Sequence, residues 1–219
     1  MANAPVWSGW RRIIAGLSIL IVLILLIFSS LRMAEVLALT PPASGGDAYG
    51  PPAEFHTRYL DFPVLSALHV LTGIVFVTLG LFQFKASIRT RYPAVHRWMG
   101  RGLVISALVS AVTGIWLGYV LPGFGGIAGL FPTWVLGIVL VVSVCFAVSH
   151  IRKRRVAKHR EWMIRAFAAG LAVGTQRLLL GIFMPMQIDS FEALFVPLLW
   201  LGIFLNLVIA EWWINVTRR

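Results

Sequence analysis

Six apolar runs alternate with polar stretches along the chain, and each is long enough to cross a bilayer as a helix. The pattern predicts helices over 13–33, 63–84, 99–121, 130–150, 162–184 and 193–215. The first contains LSILIVLILLIF, the second opens at Pro63, the third stops before Pro122-Gly123 and the fifth stops before Pro185. The first run has a longer apolar core than a signal peptide, and no small-residue cleavage site follows it, so it reads as an uncleaved anchor. The longest loop, 34–62, is rich in Pro, Gly and Ala, which favours turns over a folded domain.

Composition narrows the class. The chain is 59% hydrophobic and 12% charged over 219 residues, more apolar surface than a soluble domain can bury. The expectation is an all-α integral membrane protein with six transmembrane helices. The single cysteine, Cys145, lies in an apolar run, so no disulfide forms within the chain, and it reads as a small buried hydrophobe.

A net charge of +11 would suit nucleic acid, but its placement argues for membrane orientation instead. Sixteen of the 19 Lys and Arg fall at the N-terminus, in 85–101, in 151–165 and at the C-terminus; Arg32 and Arg58 fall on the other side, and Arg177 lies within the fifth helix. Six of the eight acids, Glu35, Asp47, Glu54, Asp61, Asp189 and Glu192, accompany Arg32 and Arg58. By the positive-inside rule both termini are cytoplasmic, which predicts a multi-pass protein of the bacterial inner membrane. The basic side then meets anionic lipid heads, and nucleic acid is not expected as a partner.

The two basic stretches echo each other. ASIRTRYPAVHR (Ala86–Arg97) set over SHIRKRRVAKHR (Ser149–Arg160) matches at six of twelve positions without a gap, His96/His159 and Arg97/Arg160 among them. One inserted residue, Glu161, then pairs Trp98/Trp162, Met99/Met163 and Arg101/Arg165. Flanking matches, His69–Val77 with Trp134–Val141 and Leu117–Pro122 with Leu180–Pro185, extend the echo over two helix pairs. Two cytoplasmic hairpins that each collect arginines and interfacial tryptophan could converge on such an echo; read as a duplication, two helices per repeat return the chain to the same side, and helices 2–3 and 4–5 form a parallel internal repeat about an axis along the membrane normal. The predicted organisation is an anchor helix and outer loop (1–62), a duplicated four-helix core (63–186) and a C-terminal helix (187–219), with the first and last helices outside the core. Gly73, Gly80, Gly170 and Gly174 allow close helix approach within it.

The succession ALHVLTGIVFVTLGLFQF, HRWMGR, KHREWMIR and Arg177 resembles the bacterial membrane-protein family catalogued as domain of unknown function 2306, over roughly residues 63–186. The resemblance draws attention to His69, Gln83, Phe84, His96, Arg97, Gly100, Arg101, His159, Arg160, Trp162, Met163, Arg165 and Arg177. It implies the membrane architecture and names no substrate.

Two constellations carry candidate chemistry. At the basic side, His96 and His159 are equivalent under the repeat and could ligate a haem b from two helices, as in transmembrane cytochromes b, or hold a quinone. Arg101 lies ~7.5 Å deeper than His96 at 1.5 Å per residue, which sets the histidines near head-group level. A clamp in which His96, His159, Arg97, Arg101, Arg160 and Arg165 hold lipid phosphates or neighbouring helices is the competing reading, and another ligand or a metal is a third. In the outer half, His69 and Arg177, with Gln176 beside the latter, fall at similar depth on helices 2 and 5. An intramembrane arginine needs a partner: a local carbonyl or hydroxyl such as Thr72 or Thr113, which would make the pair a structural lock, or a carbonyl-bearing ligand such as a quinone head group.

Glu211 is expected to pair with a repeat arginine, Asn206 to bond across helices and His150 to be solvated, while His56 has no visible partner. The chain has no phosphate-cradling Gly-rich loop, no HExxH and no cysteine cluster, and no nucleophile elbow. Three functions fit: a redox protein binding haem or quinone, an accessory or assembly subunit of a larger membrane complex, and a small-molecule carrier working around the two-fold.

Overall fold

The computed structural model describes residues 7–39, 57–121 and 126–218, and among these it is helical with no strand. The six long helices are α1 (Trp7–Val36), α2 (Pro63–Gln83), α3 (Pro93–Val120), α4 (Ile127–Arg152), α5 (Val156–Phe183) and α6 (Phe191–Thr217). A short helix, Ala86–Arg91, follows α2, and 3-10 turns occupy Arg58–Leu60 and Met184–Met186. All six helices are long and apolar enough to span a membrane. His56, Asp47, Glu54, Pro122, Gly123 and the middle of the 34–62 loop lie outside the described residues.

Both α3 and α5 begin six residues before their apolar runs, at Pro93 and Val156 rather than 99 and 162. Hydropathy marks where lipid begins, whereas the backbone helix starts where it can be nucleated. Pro93, whose ring pre-sets a helical φ and lacks the N–H that a first turn leaves unbonded, starts α3. A 28-residue helix is ~42 Å long, longer than the ~30 Å hydrocarbon layer. The first turns of α3 and α5, which carry the two HR motifs, therefore stand at the membrane surface.

Helices α2 with α3, and α4 with α5, form two long hairpins joined through α3 against α4, and α6 lies along α5. The bundle does not close symmetrically. α2 and α5 touch only narrowly, because α1 is wedged between them and packs on both. Val22 of α1 is completely buried, and Ile21, Leu25 and Leu26 join the central cluster with Phe76, Phe167 and Val144. The sequence pattern set both flanking helices outside the core; α1 instead contributes to the central cluster. The α1 run is apolar on all sides, so no stripe marks the buried face. In lipid, burial is selected by fit rather than by hydrophobicity, and Gly174 supplies the fit: a Cβ there would stand 2.6 Å from Ile21 and 2.7 Å from Leu25.

The other glycines explain the remaining contacts. A Cβ at Gly80 would stand 2.1 Å from the ring of Phe167, and one at Gly170 would stand 2.2 Å from the ring of Phe76. α2 and α5 thus interlock by a reciprocal exchange in which each helix offers a glycine to the other's phenylalanine. Gly73 is less tightly met, with Ser110 Oγ at 3.7 Å. Gly202 of α6 lies against backbone, 2.6 Å from the carbonyl of Ala172. Cys145, expected to be buried, is exposed on the flank of α4; an unbroken apolar run gives no sign of which side faces the bundle.

Candidate functional site

The acidic end of the bundle is built around His69. Its Nδ1 lies 3.0 Å from the carbonyl oxygen of Ser110 and 3.3 Å from Thr113 Oγ1, both on α3. A carbonyl only accepts, so Nδ1 carries a proton and donates it to Ser110, which leaves Nε2 as the uncommitted ring nitrogen. Gly114 makes room for the ring: a Cβ there would stand 2.9 Å from His69 Cε1. The ring, carried by α2, is oriented by α3 alone.

The Phe–Gly exchange sets the level of Arg177 relative to His69. Ser66, His69, Gly73, Phe76 and Gly80 recur at three- and four-residue steps, one face of α2, and Phe167, Gly170, Gly174 and Arg177 do the same on α5. With Gly80 opposite Phe167 and Phe76 opposite Gly170 on antiparallel helices, the same steps bring His69 level with Arg177. The end of α1 enters at this level. Arg32 pairs with Glu35 and stacks over the ring of Tyr59 at 4.7 Å, and both Arg32 and Tyr59 lie near Arg177. Ser66 Oγ donates to the Tyr59 carbonyl at 2.9 Å, tying the 3-10 turn to α2.

Gln176 is 1% exposed, and its side chain is turned toward α6. Its Nε2 donates to the Phe195 carbonyl at 2.7 Å, while Arg177 Nη1 donates to its Oε1 at 3.2 Å. It holds the arginine in place from behind. Thr72 and Thr113, expected as partners of Arg177, bond elsewhere: Thr72 to Leu68 and His69 carbonyls, Thr113 to the Val109 carbonyl. The structure brings Arg32, Glu35 and Tyr59 to this cluster. The sequence held a clue to them, since Arg32 and Glu35 are charges three residues apart at the end of an apolar run.

At the basic end the two histidines differ. His159 Nδ1 donates to the Ala147 carbonyl at 3.0 Å, fixing its ring against the end of α4. The 63-residue repeat offset would have His96 bond the Phe84 carbonyl; instead Gln83 Nε2 donates to the carbonyl of His96 at 3.1 Å, and His96 Nδ1 is buried with no hydrogen-bond partner. His159 and Arg89 lie within electrostatic range of His96. Phe167 occupies the nearby interior, with ring centroids 6.0 Å from Phe76 and 5.2 Å from Phe84.

The arginines repeat one local geometry in both hairpins. Arg101 stacks over Trp98 at 4.5 Å, and Arg165 over Trp162 at 4.6 Å. Beyond that they part. Arg165 makes two bonds to Glu211, one of 2.9 Å, as expected of Glu211, and Arg160 Nη2 donates to Thr217 Oγ1 at 2.8 Å. Of the four arginines read as head-group contacts, Arg160 and Arg165 are thus held by α6, while Arg97 and Arg101 are exposed. The inserted Glu161 is buried and receives Lys158 at 2.9 Å and Arg218 at 3.2 Å. Asn206 bonds across helices, donating to Thr175 Oγ1 at 2.6 Å. The His150 ring bonds the Phe146 carbonyl of its own helix at 2.7 Å. Among the described residues, no three of His, Cys, Asp and Glu converge as a metal site would require.

A family model described as a predicted membrane protein (DUF2306) matches residues 66–214. No curated protein and no solved structure matches the chain.

Proposed function

The chain belongs to the DUF2306 family of predicted membrane proteins, and on that premise we propose that it is a membrane redox protein that binds a quinone head group at its acidic end, between His69 and Arg177. The observation that carries this reading is the fixed orientation of His69. Its Nδ1–H is committed to Ser110, its ring is admitted by Gly114, and it stands level with the half-buried Arg177. A quinone has two carbonyl oxygens, and its quinol two hydroxyls. The Arg177 guanidinium donates to a quinone oxygen and favours the charge that gathers there on reduction. His69 Nε2 accepts the hydroxyl of the quinol and provides a place for its proton. The isoprenoid tail has an apolar path along the lipid-facing helices.

The haem reading at His96 and His159 draws support from their matched places in the two HR motifs and from the way Ala147 orients His159. The packing of Phe84, Phe167 and Phe76 in the interior beside them argues for the acidic-end site instead. A carrier rocking about a two-fold axis is harder to reconcile with α1 wedged into one side of the bundle. We place both termini on the cytoplasmic side of a bacterial inner membrane, on the strength of the 16 basic residues at that end; the quinone head group then sits in the opposite leaflet. The test is quinone carried through purification, measured in wild type and in His69→Ala and Arg177→Gln.

A further inference from the structure

The two hairpins share a basic, tryptophan-bearing end, but only one is covered. α6 supplies Glu211 to Arg165 and Thr217 to Arg160, and the tail beyond it supplies Arg218 to Glu161. Nothing among the described residues does the same for the α2–α3 hairpin. Residues 85–101 hold Lys85, Arg89, Arg91, Arg97 and Arg101 and no acid, and all five cations are exposed. Arg97 and Arg101 are four residues apart, on one face of α3. Trp98 beside them is 70% exposed, and Tyr92 is 59% exposed.

We infer that this uncovered end binds the phosphate of an anionic phospholipid, with Arg97 and Arg101 as the phosphate ligands and Trp98 as the platform that orients Arg101. The first turns of α3, with Arg97, stand at the level where lipid phosphates lie, and the long side chain of Arg101, about one turn deeper, snorkels back toward it. A guanidinium stacked on an indole keeps its N–H edge free and directed, and that edge matches two phosphate oxygens. Exposed aromatic rings with a polar edge prefer this layer. A second copy of the chain is a poorer occupant. The acids near this level, Glu161 and Glu211, are already bonded within their own chain. The lipid replaces for the first hairpin what α6 provides for the second.

The experiment is native mass spectrometry of the purified full chain in detergent, titrated with phosphatidylglycerol, phosphatidylcholine or inorganic phosphate. Phosphatidylglycerol binds wild type and the control R152Q/K153Q alike, and binds R97Q/R101Q roughly 30-fold more weakly, from about one order-unity energy per removed cation. Phosphatidylcholine binds much more weakly than phosphatidylglycerol, and millimolar inorganic phosphate does not displace the lipid. Should the double variant fail to fold, R97Q and R101Q singly are each about fivefold weaker. Equal phosphatidylglycerol affinity in these variants, equal binding of phosphatidylcholine, or displacement by free phosphate would each overturn the inference.

Discussion

The side chain of His69 lies where a side chain on Gly114 would have to be: a Cβ on that glycine would stand 2.9 Å from His69 Cε1. The close approach of α2 and α3 there is what lets His69 reach the Ser110 carbonyl. Gly114→Ala therefore displaces the imidazole without altering any polar group. The expected outcome is a loss of about 1–3 kcal/mol in stability from overpacking, together with loss of bound quinone. Thermal unfolding and quinone content in the same preparations check both. Retention of quinone in a folded Gly114→Ala protein would separate His69 from the site.

The reciprocal exchange between α2 and α5 predicts coupled energetics. Gly170→Ala drives a methyl to within 2.2 Å of the Phe76 ring and should destabilise by about 1–3 kcal/mol. Phe76→Leu removes the ring edge that collides with it. The double variant should recover part of the loss, with a coupling of about 0.5–3 kcal/mol in a denaturation cycle. Strict additivity would mean that the two side chains do not meet.

Two substitutions rank the forces that hold α6 to α5. Glu211 is half-exposed, so Glu211→Gln should cost only about 0.5–1 kcal/mol, and less at high salt. Gly202→Ala places a methyl 2.6 Å from the Ala172 carbonyl, which cannot swing aside as a side chain can. It should cost more than Glu211→Gln, about 1–3 kcal/mol, and show little salt dependence. The reverse order in a thermal-unfolding series would make the ion pair the dominant clamp.

What could be read from the sequence, and what could not, follows from how lipid selects structure. The six spans, the Arg165–Glu211 pair and the Asn206 cross-link were legible, because each sets a polar group against an apolar background. The place of α1 was not. LSILIVLILLIF is apolar all round, and only the gap above Gly174 decides which face of it is buried. The acidic-end cluster was half-legible for the same reason: His69 and Arg177 stand out as polar positions, but Arg32, Glu35 and Tyr59 join them only once α1 is in the bundle. Gln83 on His96 was invisible, since the repeat predicted a symmetry that the first hairpin breaks where Phe84 and Lys85 separate α2 from the short helix.

The assignment of sides is tested by cysteine labelling in a Cys145→Ala background. Asp61→Cys should react with a membrane-impermeant maleimide on intact cells, and Lys153→Cys only after permeabilisation. The opposite pattern would invert the topology and move the His69–Arg177 site to the cytoplasmic leaflet.

The most direct measurement is the quinone content of the purified protein, by solvent extraction and chromatography, beside its visible spectrum. Near-stoichiometric quinone is expected in wild type, with loss of most of it in folded His69→Ala and Arg177→Gln, and no Soret band. Wild-type protein that yields no quinone and takes up none on titration would contradict this expectation, and a Soret band that disappears in His96→Ala and His159→Ala would transfer the site to the basic end.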